Sequence, residues 1–283
     1  MIGGSVVFVV VGADFFRAVP TAHLGATAAA FAFRSSSLLP LQQFGAQDLQ
    51  SQFTVLQLGA FLGAEHADAG GFVEKVNGRF HFVDVLAAEH DVVVRFNGGA
   101  NAGHTIVVEG EKLALHLMPS AVLNPNCELV IANGTVIDPS ILVKEIDLVE
   151  ARGLSLEGRF HVSSRAHVVL PWHSLLDGAA EARLSDRGEA IGTTKRGIGP
   201  AYADKIGRSM AVRMGDLLDA KYLRAHLDKI APLRLEELKV AGNDSSIDTE
   251  VLLADLLALG ERLRPYITDT TWLLHDRVHQ NRS

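Results

Sequence analysis

The apolar run DVVVRF (91–96) passes without a break into NGGANAGHT (97–105). Three successive valines suit a strand buried on both faces. The glycines that follow cost backbone entropy, so their clustering marks a tight bend or a close approach of backbone to a ligand. His104 is the one imidazole kept in that loop. A strand running into a glycine loop is a common phosphate cradle, because bare amides can converge on an anion. It is also a common plain turn. A second loop of the same kind, IGTTKRGIGPAYADKIGR, occupies 191–208.

The elements around these loops alternate. FVDVLAAEH (82–90) suits a helix, and TIVVEGEKLALHL (105–117) reads as a hairpin about Glu109-Gly110-Glu111. LVIAN (129–133) and RFHVSS (159–164) read as strands. Between them, Asp138 can cap a helix that starts at Pro139 and stops at Gly153. Ile141, Leu142, Ile146, Leu148 and Val149 give that helix one apolar face. Residues 172–184, 217–230 and 249–264 read as helices, and TDTTWLLHDRVHQNRS stops just after a helical pattern, with no closing element. Strands alternating with helices predict an α/β fold. The expected architecture is part of a large, mostly parallel central sheet with flanking helices and a helical subdomain around 165–265.

Residues 1–80 differ in texture. VVFVVVGA (6–13) suits a buried strand, but the rest keeps neither a period of 2 nor one of 3.6 for long. The net charge of −7 gives no reason to expect a nucleic-acid partner. The single cysteine, Cys127, excludes an internal disulfide and reads as a small core residue, which fits a reducing, cytoplasmic setting. No apolar run reaches the ~18 residues of a membrane span, and the N-terminus lacks the basic start of a secretory signal.

Taken together, RFNGGANAGHT and GTTKRGIGPAYADKIGR closely resemble the adenylosuccinate synthetase family. So do LHLMPS (115–120), NGTVIDP (133–139), SSRAHVVLPWH (163–173) and MGDLLD (214–219), in the same order and spacing. The resemblance runs from about residue 82 to the last residue. It divides the chain into a non-family segment at 1–80, disordered or misfolded, and the N-terminal and middle part of the family domain at 81–283.

The resemblance implies a ligase that forms a C–N bond in AMP synthesis. The γ-phosphate of GTP passes to the 6-oxygen of IMP, and the amine of L-aspartate then displaces it, with Mg²⁺ assisting. By similarity His104 is the general acid that stabilises charge on the departing GDP phosphate. Gly103 offers its carbonyl to Mg²⁺ and lies at the GTP site with His104 and Thr105. Asn101 and Thr194 contact IMP, Thr194 at the phosphate. Arg208 reaches the IMP phosphate held by the partner subunit, which implies a homodimer.

Outside that resemblance the plainer readings stand. His116, His161, His167 and His173 have no expected catalytic role, and LLADLLALGERL is the core face of a helix. Lys195 stands where the family often has glycine, and Ser209 where arginine is common.

The family also opens with a strand and WGDEGKGK, whose aspartate takes the proton from IMP and binds Mg²⁺. Counted back without gaps, this chain has EKVNGRFH (74–81) there, with Val76 at the aspartate position. Valine offers neither a proton acceptor nor a metal-binding oxygen. Phe80 replaces a close-approach glycine, and His81 the second lysine. The loss of a general base alone typically costs about 10²–10⁴ in rate. Family members also continue past the equivalent of Ser283, into parts that grip IMP, aspartate and guanine. The expectation is an enzyme by lineage with little activity. The alternatives are a non-catalytic IMP-binding or dimerising fragment, and the product of a damaged reading frame. VVFVVVGAD (6–14) looks loosely like the family's first strand but lies about sixty residues too early, and is read here as an accidental likeness.

Overall fold

The computed structural model describes Val7–Val9 and residues 90–280 except 102, 109 and 110; for Val7–Val9 and 104–112 it describes backbone alone. All of these residues fall in one compact unit, Met1–Val11 with Val83–Ser283. Val76, the segment 74–81 and nearly all of the helix expected at 82–90 lie outside the described residues.

Among the described residues a five-stranded, wholly parallel sheet forms the frame. Its order is β1 (Val7–Val9), β2 (Val92–Arg95), β5 (Glu128–Ile131), β7 (Phe160–Ser163) and β9 (Ile267–Thr268). The strand at 7–9, read from sequence as an accidental likeness, pairs in register with 93–95 at the sheet edge. The valine run of β2 is buried at every position, as a central parallel strand requires. Alternate residues then feed opposite faces. Val93, Leu129 and Ile131 enter the main core, whereas Val92, Val94 and Val130 meet Leu273 and Leu274 on the other side.

Between β2 and β5 the chain makes the expected hairpin, β3 (His104–Val108) and β4 (Glu111–Leu115), with His104 opposite Leu115. A short parallel pair, β6 (Val136–Ile137) and β8 (His167–Val168), lies beside the main sheet. Helix α1 (Pro139–Glu150) starts as its sequence dictates: the Asp138 carboxylate accepts from the amides of Ser140 and Ile141. Leu142, Ile146 and Val149 are buried. Leu148 is 37 % exposed, because it falls off the stripe that the other three define. Gly153, at φ 77°, ends the segment in a conformation that suits glycine.

The helical block comprises α2 (Pro171–Asp186), α3 (Ile198–Gly207), α4 (Ala220–Val240) and α5 (Thr249–Leu263). Two readings from sequence need correction here. The stretch 198–207 is helical, because Pro200 sits in the first turn where no intrahelical amide bond is lost. Residues 270–279 form a closing helix, α6, capped by Asp269, which covers the second face of the sheet. Among the described residues no helix is long and apolar enough to cross a membrane.

Candidate functional site

The first glycine loop leaves the sheet at Arg95, a cation only 2 % exposed. Its guanidinium donates to the Gly99 carbonyl at 2.7 Å and to the His116 carbonyl. Burial lowers its pKa to about 10, and the nearby Glu145 carboxylate opposes that shift. Glu145, on the buried face of α1, accepts from the amides of His116 (2.5 Å), Leu117 (3.0 Å) and Met118 (2.8 Å). One buried ion therefore ties the loop to the strand that follows it, and another holds the end of that strand. Neither residue was singled out from sequence. The signal for Glu145 was its place on the 142/146/149 stripe; for Arg95 it was a charge closing an apolar run.

The loop glycines are required by space. A Cβ on Gly99 would sit 2.6 Å from Ile198 Cδ1 and 2.9 Å from Val136 Cγ2. A Cβ on Gly134, in NGTVIDP, would sit 1.9 Å from the Phe96 carbonyl oxygen. Gly103 is exposed, and a Cβ there would come within 3.2 Å of His116 Nε2. Asn101 is half-buried. His104 and Thr105 take their places in β3 by backbone pairing with Leu115 and Ala114. The roles expected of their side chains fall outside the described atoms.

The second loop is built on α2 and α3. Gly197 (φ 72°) forms the N-cap of α3, and a side chain there would strike the backbone of His173 at 2.6 Å. Carboxylates one turn apart on α2 hold the loop from beneath: Asp177 accepts from the Gly197 amide (3.0 Å) and Glu181 from the Gly192 amide (2.6 Å). Those two amides are therefore engaged. Thr194 and Lys195, between them, are exposed, and Lys195 has φ 54°. Helix α3 is fixed in turn by Asp204, whose carboxylate meets buried His173 (Nε2 to Oδ2, 2.9 Å) and Arg234. The Leu170 amide donates to His173 Nδ1 at 2.9 Å, so the ring carries its proton on Nε2 and donates it to Asp204.

The two loops meet. The Arg196 guanidinium donates to the Ala100 carbonyl at 2.6 Å. The Gly98 amide donates to the Tyr202 hydroxyl at 2.8 Å, and that hydroxyl is also 3.0 Å from the Gly134 carbonyl. Burial raises the Tyr202 pKa, which keeps its proton in place. Lys205 bonds the Asn133 carbonyl at 2.5 Å. Asn101 and Thr194 thus stand beside the residues that join the loops. Arg208 does not: it is exposed at the far end of α3, a helix about 15 Å long, with φ 67°.

Exposed main chain, several cations and small residues at one junction suit an anionic ligand. Among the described residues no group of three or more His, Cys, Asp or Glu is gathered for a metal. His167 nearby is neutral at ordinary pH, since burial, Lys205 and Arg213 bring its pKa to about 4. The broad surface depression lined by Glu150, Ser155, Glu157 and Tyr266 shares no residue with either loop.

Residues 77–283 match the family model described as adenylosuccinate synthetase. The adenylosuccinate synthetase of Myxococcus xanthus is 45% identical over 209 residues, which is 72% of this chain and 47% of the relative. That of Heliobacterium modesticaldum is 44% identical over 199 residues, 70% and 46% of the two chains. The solved structure of fully ligated adenylosuccinate synthetase from Plasmodium falciparum superposes with a TM-score of 0.66 at 34% identity. It covers 72% of this chain and 46% of that one. The chain spans about half the length of the curated relatives it matches.

Proposed function

The chain belongs to the adenylosuccinate synthetase family, and from that premise we propose that its two glycine loops hold the phosphates of IMP and GTP side by side for ligation of IMP to L-aspartate. The observation that carries this reading is the junction of the loops through Arg196 and Ala100. In this reading Asn101 and Thr194 form the IMP side of the joined loops, and Gly103, His104 and Thr105 the GTP side. In the first step a bond forms between the 6-oxygen of IMP and the γ-phosphorus, the bond from that phosphorus to GDP breaks, and the ring N–H proton of IMP passes to water. His104 gives its proton to the charge left on GDP. In the second step the aspartate amine attacks C6, the bond from C6 to the phosphate oxygen breaks, and the amine's surplus proton leaves with phosphate or water. Holding the reactants in place and neutralising charge carry most of the work in such transfers.

Arg208 acts in a homodimer, on the IMP phosphate of the partner subunit. Its exposed place at the far end of α3 from Thr194 supports a reach outward rather than into its own loop.

The family reaction uses Mg²⁺, to which Gly103 offers a carbonyl. Mg²⁺ is usually held by one or two carboxylates together with substrate phosphates. The described residues gather no such set, and Val76, which an ungapped count puts at the family's aspartate position, has no oxygen to supply. They do not fit the ion by themselves, so no step here is routed through it.

Turnover is slow for the same reason, since Val76 cannot take the proton from IMP. Two measurements test this account on the full chain. Calorimetry with IMP gives a saturable heat that Thr194→Ala removes; no heat at millimolar IMP refutes the binding claim. A coupled assay with IMP, GTP, Mg²⁺ and aspartate gives little turnover; an ordinary enzyme rate refutes the loss of the base. Binding without turnover favours the second reading, a non-catalytic IMP-binding module, which rests on Thr194 being retained while the aspartate is not.

A further inference from the structure

Helix α6 (Thr270–His279) turns two different faces outward and inward. Inward, Leu273 and Leu274 pack on Val92, Val94 and Val130, and Arg277 Nε donates to both Glu128 oxygens at 2.9 and 3.1 Å. These contacts fix the rotation of the helix about its axis. Outward, Trp272, His275 and His279 form a stripe of three exposed rings at spacings of three and four. The indole of Trp272 meets the ring of His275 edge-on at 5.6 Å, and His275 meets His279 at 4.2 Å between centroids. The two Nε2 atoms share a hydrogen bond at 2.9 Å, one ring donating its N–H to the other.

We propose that His275 and His279 are a two-imidazole chelate for a divalent cation of the copper class. This rests on α6 alone and does not depend on the phosphate reading of the loops. The hydrogen bond between the two rings already brings both Nε2 atoms to one point on the exposed face, and an ion that takes the place of the shared proton is reached by both with a small rotation of each ring. The order of affinities among divalent first-row ions favours copper at such a two-nitrogen site. Both rings can turn their Nε2 lone pairs to the ion, because the other nitrogen of each can carry the proton. The carboxylate of Asp276 lies 3.8 Å from His275 Nδ1 and favours the proton on that side. The edge-on contact with Trp272 also restricts the His275 ring. Water completes the coordination shell.

The protein carries its own reporter. Of its two tryptophans, Trp172 is fully buried and Trp272 stands 5.6 Å from His275. Paramagnetic Cu²⁺ bound by the pair quenches Trp272. The experiment titrates the full chain with Cu²⁺ and with Zn²⁺ in a non-coordinating buffer, following tryptophan emission. His275→Ala, His279→Ala and Trp272→Phe are run beside it. The expected result is saturable quenching at one equivalent, weakened at least about tenfold in either histidine variant, with Zn²⁺ binding more weakly than Cu²⁺. Calorimetry on Trp272→Phe retains the heat while the emission change disappears. Coincident Cu²⁺ curves for the native chain and both histidine variants, or tighter binding of Zn²⁺ than of Cu²⁺, would overturn the proposal. All three positions are exposed, so their substitution leaves the packed face of α6 intact.

Discussion

Arg196 and Ala100 are 96 positions apart in the chain and 2.6 Å apart at the guanidinium–carbonyl bond. That single contact joins a loop leaving a central strand to a loop capping a helix of the outer block. The account predicts that Arg196→Ala weakens IMP binding by about tenfold, the value of one charge-assisted bond at a half-buried site. Arg196→Lys restores only part of it, because a point charge does not reproduce the guanidinium fork. Calorimetric titrations of the three chains with IMP check this. Equal affinity in all three counts against a joined site.

The same junction can be opened from the other side. Gly99→Ala places a methyl 2.6 Å from Ile198 Cδ1. Overpacking of this kind costs about 1–3 kcal/mol. Pairing it with Ile198→Ala should recover part of that loss, and urea melts of the two single variants and the double measure the coupling. Strict additivity would mean that the loops do not touch here.

Glu145 makes main-chain bonds at His116, Leu117 and Met118 while only 4 % exposed. Glu145→Ala strands those amides and removes the carboxylate opposite Arg95. A loss of about 3–5 kcal/mol is expected, as for breaking a buried charged network. Equilibrium urea unfolding reads it. A loss under about 1 kcal/mol would contradict the contacts.

Burial, Lys205 and Arg213 hold His167 at a pKa of about 4, below the ordinary value of 6.5. The unfolded chain therefore takes up a proton between those values that the folded chain refuses. Stability contributed by this group is full above about pH 6.5 and is lost as pH falls towards about 4. His161 is shifted in the same direction, chiefly by burial. His167→Gln should flatten the dependence of the urea midpoint on pH over this window. An unchanged slope would exclude His167 as a source of it.

Much of the frame could be read directly from residues. The valines of β2 and the Asp138-Pro139 start of α1 each carry a local signal that the fold obeys. Helix α3 was hidden by Gly199, Pro200 and Gly207, which read as loop until Pro200 is placed in a first turn. The helical pattern near the last residue is α6, capped by Asp269, but nothing local shows that it covers a sheet face. Arg95 and Glu145 escaped for a related reason. Each is a charge inside an apolar pattern, and its worth depends on carbonyls and amides that only the folded chain brings near. The meeting of the two loops is non-local in the same sense. Their family resemblance named them, but no period or spacing in the sequence places Arg196 on Ala100.

The most direct test is amide hydrogen exchange across both loops, with and without IMP. If the two loops form one phosphate site, adding IMP slows exchange in 191–197 and in 97–103 together, and Thr194→Ala removes both effects. Protection in one loop alone, or in neither at saturating IMP, would contradict it.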